Sequence, residues 1–127
     1  MTLPATAKVE AAPNFLATLD DAHAFFVAQD AESADARFRN LKAKLREMVA
    51  ILAWSPASGR PARFFETNSA QAKLRAAAIA NLAQQTGLPD LREYIVDQHI
   101  VLYAHSTTLV VLLALKHQRQ LIYGAES

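Results

Sequence analysis

Apolar positions recur at helical spacing over two neighbouring stretches near the N-terminus. The first runs from about residue 14 to residue 29, and its apolar face comprises Phe15, Leu16, Leu19, His23, Phe26 and Val27. The second has the clearer period, with Ala34, Phe38, Leu41, Leu45, Met48, Val49 and Leu52 at steps of four, three, four, three, one and three. Such steps place side chains on one face of a helix. The pattern predicts a helical hairpin over about residues 14–54.

The pattern changes after the hairpin. The segment from Trp54 to Pro61 is rich in helix breakers. An alanine-rich stretch follows and predicts a third helix over about residues 68–86, which Gly87 and Pro89 would end.

Beyond Pro89 the composition shifts to β-branched and aromatic residues. Three such segments, Leu91–Asp97, Ile100–Ala104 and Leu109–Leu115, are separated by short polar interruptions. They predict an antiparallel meander over about residues 91–116. Residues 5–12 allow one further strand at the edge of the sheet.

This order of elements predicts the α+β class. We expect an N-terminal helical hairpin packed on a small antiparallel β-sheet, with the helices gathered on one side and one extra inserted helix. The 127 residues fit a single domain. A hydrophobic content of 52% with 20% charged residues excludes wholesale disorder.

Two further features of composition bear on location. The chain has no cysteine, which excludes disulfides and thiolate chemistry and suits a reducing cytoplasm. The longest apolar run, Leu109–Leu115, is far shorter than the roughly 20 residues that cross a bilayer. We therefore expect a cytoplasmic protein without a membrane span.

The formal net charge of +1 conceals segregated charge. Residues 1–36 carry one lysine against six acidic residues, whereas residues 37–63 carry seven basic residues against Glu47 alone. Residues 98–125 contain no acidic residue. The basic segments are either solvated helix faces or a surface for an acidic partner.

Several motifs, taken in order, resemble the RelE/ParE superfamily of bacterial type II toxins, on its ParE-like side. In that family the second helix ends in a Pro-x-x-Gly-Arg turn, the next strand opens with Leu-Arg-Glu, its neighbour contains Val-Leu-Tyr, and the last strand runs into His-x-Arg. The matching stretches here are Leu52-Ala-Trp-Ser-Pro-Ala-Ser-Gly-Arg60, Leu91-Arg-Glu-Tyr-Ile-Val, Ile100-Val-Leu-Tyr103 and Val110-Val-Leu-Leu-Ala-Leu-Lys-His-Gln-Arg119. The likeness covers about residues 5–120 and departs from the family over residues 64–88, where the family has a short loop.

The resemblance implies a toxin that a cognate antitoxin neutralises. ParE members act on DNA gyrase, whereas RelE members cleave mRNA on the ribosome, and fold alone does not decide between the two. We expect a ParE-like toxin that inhibits gyrase by binding and needs no cofactor. The alternatives are a RelE-like ribosome-dependent mRNA endoribonuclease and a non-toxic, degenerate family member that acts as a binding module.

Candidate catalytic residues lie near the C-terminus. RNA cleavage needs proton transfer to and from the reacting oxygens, and cations that stabilise the phosphate. If the chain is a nuclease, His117, Arg119 and Tyr123 would be the catalytic residues. Arg92, Lys116 and Arg119 would bind the target or its phosphates. Otherwise these side chains have structural or binding roles.

The apolar faces of the hairpin offer a second kind of site. In the family, the C-terminal segment of the antitoxin wraps the toxin and adds a helix or strand to its apolar surface. The candidate partner-binding residues are Phe25, Phe26, Leu41, Leu45 and Met48; burial against the sheet is the simpler interpretation for the leucine and methionine row. An apolar patch left uncovered would favour a homodimer.

Three histidines, His99, His105 and His117, could in principle hold zinc, but their positions do not predict a metal site. His99 and His105 are six residues apart on one predicted strand, which separates them by about 20 Å. They cannot share one ion on an unbroken strand, and we expect no bound metal.

Overall fold

The computed structural model describes residues 6–62 and 70–119. The elements are β1 (Lys8–Ala11), α1 (Pro13–Gln29), α2 (Ala31–Trp54), a 3₁₀ turn (Pro56–Ser58), β2 (Arg60–Pro61), α3 (Ala70–Thr86), β3 (Asp90–Val96), β4 (His99–His105) and β5 (Leu109–His117). The predicted hairpin, inserted helix and meander are all present. The α+β class is confirmed.

The sheet has five strands in the order β1-β5-β4-β3-β2. β2, β3, β4 and β5 pair antiparallel with their neighbours, whereas β1 pairs parallel with β5, with Lys8 opposite Leu109. The expectation of a purely antiparallel sheet is therefore wrong at one edge. Parallel pairing is possible because the whole chain from α1 to β4 forms the crossover between the two strands.

The helices lie on both faces of the sheet, not on one side as expected. α1 and α2 pack with Val101, Tyr103, Val110 and Leu112 on one face. On the other face, Ala76 and Ile79 of α3 join a second apolar cluster of the sheet: Ile100, Leu102, Ala104, Leu113 and Ala114. All seven residues of β4 are buried. A strand buried on both faces needs a layer on each side, and α3 supplies the second layer.

The hairpin turns sharply at one residue. The backbone N–H of Asp30 donates to the Phe26 carbonyl at 2.9 Å, which ends α1. The Asp30 carboxylate accepts a 3.1 Å hydrogen bond from the Glu32 N–H, which caps α2. One extended residue therefore both ends the first helix and begins the second.

Candidate functional site

Two regions of the molecule gather the residues that the sequence singles out. The first is the turn after α2, where Tyr103 of β4 donates from its hydroxyl to the Pro56 carbonyl at 2.7 Å. The same hydroxyl accepts from the Gly59 N–H at 2.9 Å. Arg92 of β3 donates from Nη1 to the Gly59 carbonyl, also at 2.9 Å. Three of the motif stretches thus meet at this turn.

Gly59 is required at this turn by close approach. A β-carbon at this position would collide with the Glu93 carbonyl oxygen and with the Tyr103 hydroxyl. The neighbouring Arg60 places its Nε 3.5 Å from Oε1 of Glu93, whose side chain is only 3% exposed. Gly59 and Arg60 of the turn therefore contact Arg92 and Glu93 of β3, respectively.

The guanidinium group of Arg92 is occupied at this turn. Besides its bond to Gly59, its Nε donates to Nε2 of the buried His105 at 3.2 Å. Nδ1 of His105 lies 3.0 Å from the Ser106 carbonyl, so the proton is assigned to Nδ1. Arg92 does not line the cleft described next.

The second region is a cleft at the opposite end of β4, between the hairpin and the end of β5. Its volume is about 550 Å³, and the lining side chains include Asp21, Phe25, Arg37, Gln98, His99, His117 and Arg119. A second cavity of about 460 Å³ adjoins it and shares Arg37, Gln98 and His99. The two cavities meet at these three residues and together form one cleft, whose walls are more apolar than polar and include aromatic rings.

A bulge in β5 shapes one wall of this cleft. Leu113 has no partner in the pairing with β4, because Ala114 lies opposite Leu102 and Leu112 lies opposite Tyr103. Side chains of α1 bind the backbone at this irregular point: Asn14 donates to the Leu113 carbonyl, and Thr18 accepts from the Leu115 N–H, each at 2.9 Å.

The bulge decides which side chains at the end of β5 face the hairpin. Leu113 and Ala114 both belong to the apolar cluster on the α3 side, so alternation resumes one residue later. Leu115 then returns to the hairpin side, and His117 follows it there. The extra residue therefore turns His117 into the cleft.

His99 and His117 lie directly opposite each other on β4 and β5. Their ring centroids are 5.4 Å apart and the rings are nearly perpendicular, while Phe26 contacts His99 edge-on at 5.9 Å. Burial lowers the pKa of His99 below its usual 6.5, and the charges of His117 and Arg37 add to that effect. His99 is therefore uncharged at neutral pH.

His117 is held at the mouth of the cleft. Its Nδ1 accepts the Arg119 backbone N–H at 3.1 Å, and its Nε2 lies 3.4 Å from Oε1 of Gln98. These contacts assign the proton of the neutral ring to Nε2. Phe25 covers the ring from α1 with a centroid distance of 6.4 Å.

The remaining candidate residues fall in different places. Arg119 is exposed and lines the cleft beside His117. Lys116 borders the cleft too, but burial lowers its pKa and the charges that act on it are those of Glu93 and Arg60, on the α3 side. Tyr123 lies outside the described residues. The cleft thus brings together two of the three proposed catalytic residues.

Four of the five candidate partner-binding residues lie in the core. The core between the hairpin and the sheet contains Phe26, Leu41, Leu45 and Met48. For Leu41, Leu45 and Met48 this confirms the prediction of burial against the sheet. Phe25 is 49% exposed. Of these five side chains, only Phe25 is accessible to a partner.

The sequence presents His99, His105 and His117 only as possible metal ligands, which the spacing of His99 and His105 argues against, and it does not predict the contact of His99 with His117. In a regular hairpin, counting back from the His105–Val110 pair would place His99 opposite Lys116. The bulge in β5 adds one residue and places His99 opposite His117 instead. The described residues contain no group of three or more metal-binding side chains that could hold an ion. Within the same residues, no helix has the length and apolarity to span a membrane.

No protein-family model matches the chain, and a search of curated proteins finds no significant match.

Proposed function

We propose that the protein is the ParE-like toxin of a bacterial type II toxin–antitoxin pair, which acts in the cytoplasm by binding DNA gyrase and is neutralised by a cognate antitoxin. The meeting of the motif stretches at Gly59 supports this proposal. Pro56, Gly59, Arg92 and Tyr103 come from separate parts of the sequence, yet three hydrogen bonds join them. Residues that resemble one family in order therefore also form one structural unit.

The hydrogen bonds of Arg92 favour a toxin that binds gyrase over one that cleaves RNA. Arg92 is a cation that the predicted meander offers to a phosphate, and it already donates to Gly59 and His105. In addition, α3 packs over the sheet face opposite the hairpin. Both features reduce the cationic sheet surface that an RNA backbone would need.

The RelE-like endoribonuclease is the second candidate. It is favoured by the cleft, where His117 and Arg119 lie together beside a second imidazole, that of His99. Its partners would be the ribosome and mRNA. The nuclease proposal requires His117 to exchange a proton with the substrate. Substitution of His117 therefore distinguishes it from the gyrase-binding proposal.

Exposed side chains limit where the antitoxin would bind. Phe25 is the accessible member of the apolar set, and it stands beside a cleft wall that carries Arg37 and Arg119. An antitoxin segment with an apolar anchor and acidic neighbours would complement this surface.

Induced expression in bacteria tests the proposal, with and without the gene that lies next to it. We expect growth arrest with DNA damage when the chain is expressed alone, and rescue by the adjacent gene. Loss of translation with cleaved mRNA would support the nuclease instead. Normal growth in both cases would contradict both toxin proposals and leave a binding module.

A further inference from the structure

We propose that the cleft between the hairpin and the ends of β4 and β5 binds a small aromatic anion, a flat ring that carries a phosphate or carboxylate group. His99 is the first observation in support. Its side chain is 7% exposed, it lines both cavities, and its ring nitrogens form no hydrogen bond with the described residues. Neither nitrogen is a fully buried atom that lacks a partner, so both keep some exposure to the cleft and can bond to water or to a ligand there.

The electrostatics of the cleft define what that ligand carries. Uncharged His99 presents one hydrogen-bond donor and one acceptor at the base of the cleft. Three cationic side chains, Arg37, Lys116 and Arg119, line the cleft, against two carboxylates, Asp21 and Asp97. Asp97 is already paired with Lys44 at 2.8 Å. Guanidinium groups bind phosphate and carboxylate through paired hydrogen bonds. The cleft therefore favours an anion.

The aromatic walls define the rest of the ligand. Phe25 is half exposed and lines the cleft, so its ring offers apolar surface at the mouth. Flat heteroaromatic rings stack on such surfaces. The volume of about 550 Å³ lies within the ~300–1,000 Å³ typical of small-molecule sites and exceeds what a lone phosphate fills. A ring joined to an anion uses both kinds of wall.

Binding at this cleft does not depend on an action against gyrase. The cleft is formed by α1, α2, the β3–β4 turn, β4, β5 and the residues just after β5, whereas the turn that carries the toxin proposal lies at the other end of β4. The proposed antitoxin surface shares Phe25, Arg37 and Arg119 with the cleft, but inhibition of gyrase and binding of a small ligand are measured apart, so the two proposals can fail separately.

Histidine ring resonances of the full chain, recorded by NMR during titration, test the inference. The probes are adenosine 5′-monophosphate and benzoate, which join a ring to an anion, adenosine, which lacks the anion, and inorganic phosphate, which lacks the ring. We expect at least one of the first two to shift His99 and His117. His23 and His105 do not line the cleft and serve as internal controls. Tighter binding of the monophosphate identifies a phosphate ligand, and tighter binding of benzoate identifies a carboxylate.

A pair of matched arginine variants completes the test. Arg119→Gln removes an exposed cation of the cleft, and Arg39→Gln removes an exposed cation of α2 that does not line it. We expect the first to weaken binding about tenfold or more and the second to leave it unchanged. The inference would be overturned if neither ring-bearing anion shifted His99 and His117, if adenosine or inorganic phosphate bound as well, or if both variants weakened binding equally.

Discussion

Tyr103 closes the turn at Gly59: its hydroxyl oxygen accepts the Gly59 N–H at 2.9 Å. The same hydroxyl donates to Pro56, and the tyrosine side chain is fully buried. Burial raises the pKa of the Tyr103 phenol, so the group stays protonated and can donate. The end of the hairpin is thereby fastened to the centre of the sheet through one hydroxyl group.

Removing that hydroxyl should destabilise the fold. Tyr103→Phe leaves the Gly59 N–H and the Pro56 carbonyl without this partner, which costs about 1–3 kcal/mol in the free energy of unfolding. Tyr94→Phe is the matched control, because the half-buried Tyr94 hydroxyl forms no hydrogen bond within the described residues. Urea denaturation measures both. Equal midpoints for the two variants would show that the turn is not fastened in this way.

Packing of the hairpin on the sheet predicts a contrast between adjacent residues of α2. Leu52 is 0% exposed in the hairpin-side core, whereas Ile51 is 43% exposed. Leu52→Ala should lower the free energy of unfolding by about 2–5 kcal/mol, because it leaves a cavity. Ile51→Ala should change it by no more than about 0.5 kcal/mol. Similar losses in thermal or chemical denaturation would contradict the orientation of α2.

The pKa of His99 predicts weaker folding in acid. Burial lowers that pKa below 6.5 in the folded protein, while the unfolded chain keeps the usual value. Between the two values the unfolded state binds more protons, so the free energy of unfolding falls as pH falls through 6.5 towards the folded pKa. Above 6.5 the effect vanishes.

His99→Gln keeps a polar side chain but removes this titration. Unfolding midpoints between about pH 7.5 and about pH 5.5 should fall less steeply for the variant than for the unaltered protein. His23→Gln removes an imidazole that stacks on Phe38, outside the cleft, and should leave the contribution of His99 in place. An unchanged slope in the His99 variant would exclude His99 as the source.

The two toxin mechanisms differ in their need for His117. Under the gyrase-binding proposal, the double variant His117→Ala with Tyr123→Phe should retain growth arrest, because neither side chain performs chemistry. Under the nuclease proposal, loss of a general acid or base should reduce the rate of cleavage about 10²–10⁴-fold and abolish arrest. Viable-cell counts after induction, at matched protein levels, distinguish the outcomes.

The periodic spacing of apolar residues along the sequence predicts much of the fold. The apolar row from Ala34 to Leu52 predicts α2 because a helix repeats every 3.6 residues, and the apolar run from Ile100 to Ala104 is typical of a strand buried on both faces. The side on which α3 packs was missed, because an alanine-rich helix has too weak an apolar face to indicate its partner. The parallel pairing of β1 with β5 depends on contacts about 100 residues apart in sequence, which local patterns do not contain.

The cleft was only partly predictable for a similar reason. His117 and Arg119 stand out as a His-x-Arg motif, but the direction in which His117 points is set by the bulge at Leu113. That bulge is stabilised by Asn14, 99 residues away. His99 gains its place only through the register of β4 with β5, so no local motif marks it.

The proposed function is tested most directly by the supercoiling activity of purified DNA gyrase in the presence of the purified protein. We expect inhibition that rises with protein concentration, accumulation of cleaved DNA, and equal inhibition by the His117→Ala, Tyr123→Phe variant. The purified antitoxin, encoded by the adjacent gene, should reverse the inhibition. Full gyrase activity at a large molar excess of correctly folded protein would contradict the proposal.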